Sequence, residues 1–137
     1  MGNKKSYIIG GLVGFVILIG IAFVFFGNIA KPKMLLDISE TITGAKITED
    51  GNVKDVIGSD LQNLRDTFVN LGVREFGQEI ADKQEGILIE FYENDTKCAK
   101  FRIIDKETLW DFVKYEKTGL IVVYKADTDL LELISKY

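Results

Sequence analysis

The chain has 137 residues and a net charge of −4, and it contains one cysteine and no histidine. This composition excludes an internal disulfide, a catalytic triad that needs histidine, and a zinc site with a histidine ligand. The charge is unevenly spread, because all 21 acidic residues and 13 of the 17 basic residues lie beyond Lys33, where the net charge is −8. A charge of that sign repels phosphate backbones, so we expect no nucleic acid partner.

The first predicted element is an apolar helix that spans a membrane. The run from 7 to 27 carries no charged residue, and as a helix it spans about 31 Å, the thickness of the hydrocarbon core of a bilayer. It is longer than the apolar region of a secretory signal and lacks an A-x-A ending. We therefore predict a retained transmembrane helix over 7–29 rather than a cleaved signal, with a cytoplasmic tail over 1–6 and a stalk over 30–36.

The orientation of this helix follows from weak signals. Two lysines precede the apolar run and two follow it, so the positive-inside rule is nearly balanced. The short tail favours an amino end inside the cell and a domain outside it. Gly10 and Gly14 lie one helical turn apart, which suggests a helix-pairing face and a homodimer through the membrane helix. The alternative is the ordinary tolerance of glycine in membrane helices.

Residues 37–137 are predicted to form one extracytoplasmic domain that begins with a strand. Ile38, Ile42 and Ile47 have threonine and serine between them, and this β-branched content favours a strand with a bulge at Gly44. Asp50-Gly51 then predicts a hairpin turn, followed by a short segment over 53–57.

The segment SDLQNLRDTFVNLG predicts a helix of about three turns. Ser59 is the predicted N-cap, Gln62 completes a capping box, and Gly72 is the predicted C-cap residue. The apolar residues on one face of this helix are Leu61, Leu64, Phe68 and Leu71. The following segment, VREFGQEIAD, alternates apolar and polar residues and predicts a strand.

The segment GILIEFYENDTKCAKFRII predicts a hairpin whose register can be derived. A three-residue loop over 94–96 sets Phe91 opposite Ala99 and Glu90 opposite Lys100, so each face keeps one character. A two-residue loop would mix the faces, and a slip of one residue would expose a whole apolar face. We therefore predict the three-residue loop.

The segment TLWDFVKYEKTGLIVVYK has two interpretations in its first half. It fits a helix capped by Asp105, or a strand followed by a turn through 117–119, and its aromatic and β-branched residues favour the strand. LIVVY is apolar throughout and predicts a central strand. DLLELISKY predicts a closing helix with Asp129 as N-cap and Glu132 three residues later. The apolar stripe of this helix is Leu130, Leu133, Ile134 and Tyr137.

The predicted fold is α+β, a small antiparallel sheet with one or two helices packed on one face. A membrane helix, a strand, a capped helix, then ILIEFY, FRI and LIVVY, and a short closing helix resemble small uncharacterised envelope domains of Gram-positive bacteria. The resemblance implies a membrane-anchored envelope domain, and it implies no functional residue.

The candidate reactive groups are Cys98 and the acidic clusters. Cys98 follows the predicted turn, and Lys97 and Lys100 are expected to lower its pKa slightly. The competing interpretation is a small residue of the sheet. The clusters at 49–55, 94–95 and 127–129 lack the spacing of a calcium loop and suit turns and helix caps. We therefore predict no metal site, no cofactor and no catalytic residue.

These features predict a protein that is not an enzyme and whose domain binds another envelope or membrane protein, in an accessory, immunity or sensor role. The predicted contact patch consists of Tyr92, Trp110, Tyr115 and Tyr124, on condition that they lie on the sheet face without helices. The competing interpretation places these side chains in the core. The alternative function is a small envelope enzyme that uses carboxylates or Cys98.

Overall fold

The computed structural model describes residues 32–137. The predicted tail, the predicted membrane helix with Gly10 and Gly14, and the start of the stalk lie outside the described residues. Within the described residues, no helix is long and apolar enough to cross a membrane. Lys33–Tyr137 form one unit, which includes Met34 and Leu36 of the predicted stalk. The backbone of Met34 forms a bridge with Val73, and the side chain of Leu36 is buried.

The described residues form one antiparallel sheet of seven strands and three helices, so the predicted α+β class is confirmed. The strands are β1 (Gly44–Glu49), β2 (Asn52–Val56), β3 (Val73–Glu79), β4 (Ile87–Glu93), β5 (Thr96–Ile103), β6 (Thr108–Asp111) and β7 (Ile121–Ala126). The helices are α1 (Gly58–Val69), α2 (Tyr115–Thr118) and α3 (Leu130–Ile134). The order across the sheet is β2-β1-β4-β5-β6-β7-β3, which makes β2 and β3 the edges.

The main core lies between the sheet and the helices α1 and α3, and we call this side of the sheet the helix face. Phe68 of α1 has its ring 5.9 Å from that of Phe91 in β4 and 5.5 Å from that of Phe101 in β5. These three rings are at most 2% exposed. Burial of each ring stabilises the fold by about 2–3 kcal/mol, so this contact joins α1 firmly to β4 and β5.

An irregular segment over 34–43 packs on the main core before β1 begins. Arg65 of α1 donates from Nε to the carbonyl of Ser39 at 2.9 Å and from a terminal nitrogen to the carbonyl of Ile38 at 2.8 Å. Because these carbonyls bond to Arg65 and not to a strand, the predicted strand is wrong before Gly44. Gly44 is the first residue of β1 and not a bulge, since its register with β4 is regular.

The hairpin of β1 and β2 and the helix α1 follow the prediction in outline. Asp50 and Gly51 have φ of 51° and 78° and form the predicted two-residue turn. The predicted helix is confirmed with its apolar face, but its cap is Ile57 and no side chain caps it, so the capping box at Ser59 is wrong. Gly58, with φ of 65°, turns the chain directly from β2 into the helix, which leaves Ser59 inside it.

The hairpin of β4 and β5 has the predicted register but a different loop. Phe91 pairs with Ala99 and Glu90 with Lys100, as predicted. The turn nevertheless has two residues, because Glu93 pairs with Thr96, and a bulge leaves Cys98 without a partner across the ladder. The bulge absorbs the one-residue difference, so both apolar faces still point to the core.

In the last third of the chain, the predicted strand before the turn and the predicted closing helix are both confirmed. Residues 108–111 form β6, and Asp105 accepts from the N–H groups of Glu107 and Thr108, which makes a turn and not a helix cap. The predicted turn at 117–119 is replaced by α2. The predicted strand LIVVY is confirmed except for Leu120, since β7 begins at Ile121, and β7 is an interior strand between β6 and β3. Asp129 caps α3 as predicted, accepting from the N–H groups of the second and third helical residues.

The connection over 80–86 crosses the sheet, because β5, β6 and β7 separate β3 from β4. Its contacts with Arg102 and Trp110 place it on the side opposite α1 and α3. We call this connection the strap. Arg102 donates to both carboxylate oxygens of Asp82, at 2.8 and 2.9 Å, and the ammonium of Lys83 lies 5.4 Å from the ring centre of Trp110. A second, smaller core lies on this side of the sheet, formed by Trp110, Phe112, Ile121 and Val123.

Gly86 joins the strap to β4, and we expect it to be the least replaceable glycine of the domain. Its φ is +88°, and an added Cβ would lie 2.2 Å from the carbonyl oxygen of Ile103. Gly86→Ala is therefore expected to lower the free energy of unfolding by about 3 kcal/mol or more in urea denaturation. Gly119→Ala is the matched control, because φ there is +68° in open space, and its loss should be about 1–2 kcal/mol. Equal losses would contradict the argument.

Candidate functional site

The structure separates the four aromatic residues of the predicted contact patch. Tyr92 and Tyr115 are half-buried on the side of the sheet that carries the strap. Trp110 is 3% exposed and belongs to the second core, whereas Tyr124 is 7% exposed and belongs to the main core on the helix face. The structure thus brings two of the four residues to one surface and encloses the other two.

The strap covers only part of its side of the sheet. We call the uncovered part, over β1, β4 and the first half of β5, the open face. Its residues are Lys46, Glu90, Tyr92 and Lys97, with Lys100 at its margin, where the strap ends and Asp82 lies 3.8 Å from the ammonium of Lys100. These residues share a face because Glu90 is opposite Lys46 on one side and opposite Lys100 on the other, and alternation along β4 places Tyr92 with Glu90.

Charges of alternating sign cross the open face from strand to strand. Asp55, Lys46, Glu90 and Lys100 are successive partners across β2, β1, β4 and β5. Opposite charges that face each other across strands stabilise a sheet by about 0.2–1 kcal/mol per pair. The ammonium of Lys97 also lies 2.5 Å from a carboxylate oxygen of Glu90, and this hydrogen bond raises the pKa of Lys97. The open face is therefore polar and internally paired.

Ammonium groups also stack on aromatic rings at this surface. Lys46 Nζ lies 5.5 Å from the ring centre of Tyr92, and Lys100 Nζ lies 4.3 Å from that of Phe112. The rings of Phe112 and Tyr115 meet edge to face at 5.5 Å. Such contacts hold the long lysine side chains against the sheet, which reduces the entropy that a binding partner would have to remove.

Two grooves flank the open face. One, of about 350 Å³, lies between β5 and α2 and is lined by Lys97, Cys98, Lys100, Tyr115 and neighbouring residues. The other, of about 440 Å³, lies beside β1 and the turn of the β4–β5 hairpin, and Tyr92 forms part of its wall. Val113 in the first groove and Ile57 in the second are each 70% exposed. The open face therefore has an apolar residue on either side of a polar centre.

Cys98 lies in the first groove, where its thiol donates to the carbonyl of Phe91 at 3.4 Å. Burial raises the pKa of Cys98, and the charge of Glu93 raises it further. The expected lowering of this pKa by Lys97 and Lys100 is therefore wrong, because those ammonium groups are engaged by Glu90 and Phe112. A thiol with a raised pKa is protonated at neutral pH and is a poor nucleophile.

Asp111 is a buried carboxyl group that sequence reasoning did not single out. It lies on the helix face between Phe101 of β5 and Val122 of β7 and is 8% exposed. One oxygen accepts from the N–H of Val113 at 2.9 Å, and burial raises the pKa of Asp111 to about 6. Its signal in the sequence is an acidic residue two positions after Leu109, where alternation along β6 calls for an apolar one.

Within residues 32–137, no group of three or more cysteine, aspartate or glutamate side chains is arranged to hold a metal ion. Comparison with models of protein families, with curated proteins and with solved structures gives no match. The interpretation of the site therefore depends on the geometry of the open face.

Asp111 is expected to make the domain less stable as the pH rises from about 4 to about 6. The folded state binds the proton more tightly than the unfolded chain, whose pKa is the ordinary 3.8, and the shift to about 6 corresponds to about 3 kcal/mol. Asp111→Asn should remove this decline and raise the free energy of unfolding at pH 7.5, as measured by urea denaturation at several pH values.

Asp127→Asn is the control of opposite sign for this experiment. Lys33 forms an ion pair with Asp127 and lowers the pKa of that carboxyl, so its contribution to stability is present at neutral pH and lost on acidification. If stability still declines between pH 4 and 6 to the same extent in Asp111→Asn, Asp111 is not the group that causes the decline.

Proposed function

We propose that this protein is held in the cell membrane by a single transmembrane helix over 7–29 and presents a non-enzymatic domain that binds another protein outside the cell. The uncharged run of 21 residues supports the anchor, since its helical length matches a bilayer core. The open face supports the binding role. An accessory, immunity or sensor role in the envelope of a Gram-positive bacterium is the setting that the sequence resemblance favours.

The observation that carries the binding role is the combination of Tyr92 and Tyr115 with two grooves on one uncovered face of the sheet. Tyrosine is enriched at protein interfaces because it has a large apolar ring and a polar tip and loses little entropy on binding. The row of alternating charges gives a partner a pattern that fixes its register. The two grooves are wide enough to receive side chains of such a partner.

Tyr115 is expected to contact the partner directly. A photocrosslinking amino acid at position 115 should give a discrete protein adduct in intact cells, and Tyr92→Ala should reduce its yield at least about tenfold, as for a residue at the centre of an interface. The same crosslinker at Leu131 is the matched control, because Leu131 is 44% exposed on α3, away from the open face. No adduct at 115, or equal adducts at both positions, would contradict the proposal.

The location of the domain has a separate test, because Cys98 is the only cysteine and is exposed. A membrane-impermeant maleimide at pH 8 should label intact cells, and Cys98→Ser should abolish the signal. Its raised pKa predicts slow labelling, so the rate is compared with that in lysed cells. Labelling that appears only after lysis would place the domain inside the cell.

A further inference from the structure

The outer edge of β3 is a second surface that the proposed function does not use. Met34 closes this edge at Val73 by two backbone hydrogen bonds of 2.7 and 3.1 Å, and the side chain of Lys33 passes over Gly72 to pair with Asp127. Within residues 32–137, no backbone group pairs with β3 on this side beyond Val73. We call the strand edge from Arg74 to Glu79 the free edge.

The backbone groups of the free edge that point outward can be identified from β7. The N–H of Ala126 donates to Glu107, so the backbone of Ala126 is turned toward β6 and away from β3. Alternation along β7 turns Tyr124 and Val122 the same way. Their partners in β3 are Glu75 and Gln78, whose N–H and C=O groups therefore point away from the sheet.

The bulge at Phe76 determines which side chains share a side of the free edge. The register shifts between Glu75 and Gly77, so Phe76 is an extra residue. Arg74 is opposite Lys125 and Glu79 is opposite Ile121, two positions of β7 that lie on the strap side of the sheet. Arg74 and Glu79 are five residues apart in sequence and would lie on opposite sides without the bulge.

The charges along the free edge are unpaired within the described part of the chain. Arg74 is opposite Lys125, which gives it no partner of opposite charge across the ladder, and Arg74, Glu75 and Glu79 form no ion pair there. Phe76 is 67% exposed and Ile80, just past the strand, is 77% exposed. The free edge thus has one cation, Arg74, and two carboxylates, Glu75 and Glu79, none of them in an ion pair, with an exposed ring between Arg74 and Glu79.

We propose that β3 pairs antiparallel with β3 of a second copy of this chain, about a two-fold axis that passes between Phe76 and Gly77. This axis sets Arg74 opposite Glu79 of the second copy, and it sets Glu75 opposite Gln78, so the outward N–H and C=O groups meet each other. It also brings the two Phe76 side chains together. Each of these residue pairs occurs twice by symmetry, as in an isologous interface. The pairing joins the sheets of the two copies into one continuous sheet.

The edge of β3 shows why a second copy fits better than an unrelated strand. Arg74 and Glu79 are equally far in sequence from the midpoint between Phe76 and Gly77, and both lie on the strap side of the sheet. Only an antiparallel copy centred on the same point pairs both charges at once, because a shift of two residues would set Glu79 against the bulge of the second copy. The pairing is independent of the proposed protein-binding role of the open face.

Charge exchange tests this pairing in the full-length chain in detergent, by analytical ultracentrifugation. Arg74→Glu and Glu79→Arg should each weaken dimerisation by about tenfold or more, because each sets like charges opposite each other twice. The double variant, Arg74→Glu with Glu79→Arg, should restore the dimer. Lys54→Glu, on the other edge strand β2, is the matched control and should leave dimerisation unchanged.

Two further variants test the hydrogen bonds and the register. Gln78→Pro removes an N–H that points outward, which an edge strand tolerates, and should abolish dimerisation while the unfolding curve stays cooperative. In a Cys98→Ser background, oxidation of a mixture of Glu75→Cys and Gln78→Cys chains should give a disulfide-linked dimer that neither gives alone. A monomeric wild-type chain, or a dimer that withstands Arg74→Glu and Gln78→Pro, as pairing through the membrane helix would, overturns the proposal.

Discussion

The contact of Phe68 with Phe91 and Phe101 is the interaction on which the rest of the domain depends. It requires β4 and β5 to present their rings side by side, and that register is held only because a bulge at Cys98 absorbs a residue after the two-residue turn. With the rings in place, α1 lies on the sheet, and Arg65 of α1 can hold the carbonyls of the segment before β1. A slip in this hairpin would expose the rings and release the helix.

The two sides of the sheet differ because α1 and α3 cover one side and the strap crosses the other. Arg102 is buried beside the strap and is tolerated there because it donates two hydrogen bonds to the carboxylate of Asp82 and a third to the carbonyl of Glu85. The strap thereby encloses Trp110 and leaves the part of the sheet around Tyr92 uncovered. The proposed protein-binding surface is thus the part of the sheet that the strap leaves uncovered on its way from β3 to β4.

Prediction from the sequence succeeded where a pattern is local. The face of α1, the turn at Asp50-Gly51, the cap at Asp129 and the pairing of Phe91 with Ala99 all follow from spacing alone. It failed where a tertiary contact replaces a local one, as before Gly44. Of the candidate site, Tyr92 and Tyr115 reach one surface, but nothing local distinguishes them from Trp110 and Tyr124, which the strap and the helices enclose.

The sequence by itself determined the α+β class, the single cysteine, the acidic charge and the alternation that gives each strand its two faces. The tertiary structure alone decided the strand order, because pairing β7 with β3 joins segments that are distant in the chain. That order makes β3 an edge and sends the strap across the sheet. It also buries Asp111, whose pKa of about 6 reflects neighbours on β5 and β7 that no local pattern around Asp111 reveals.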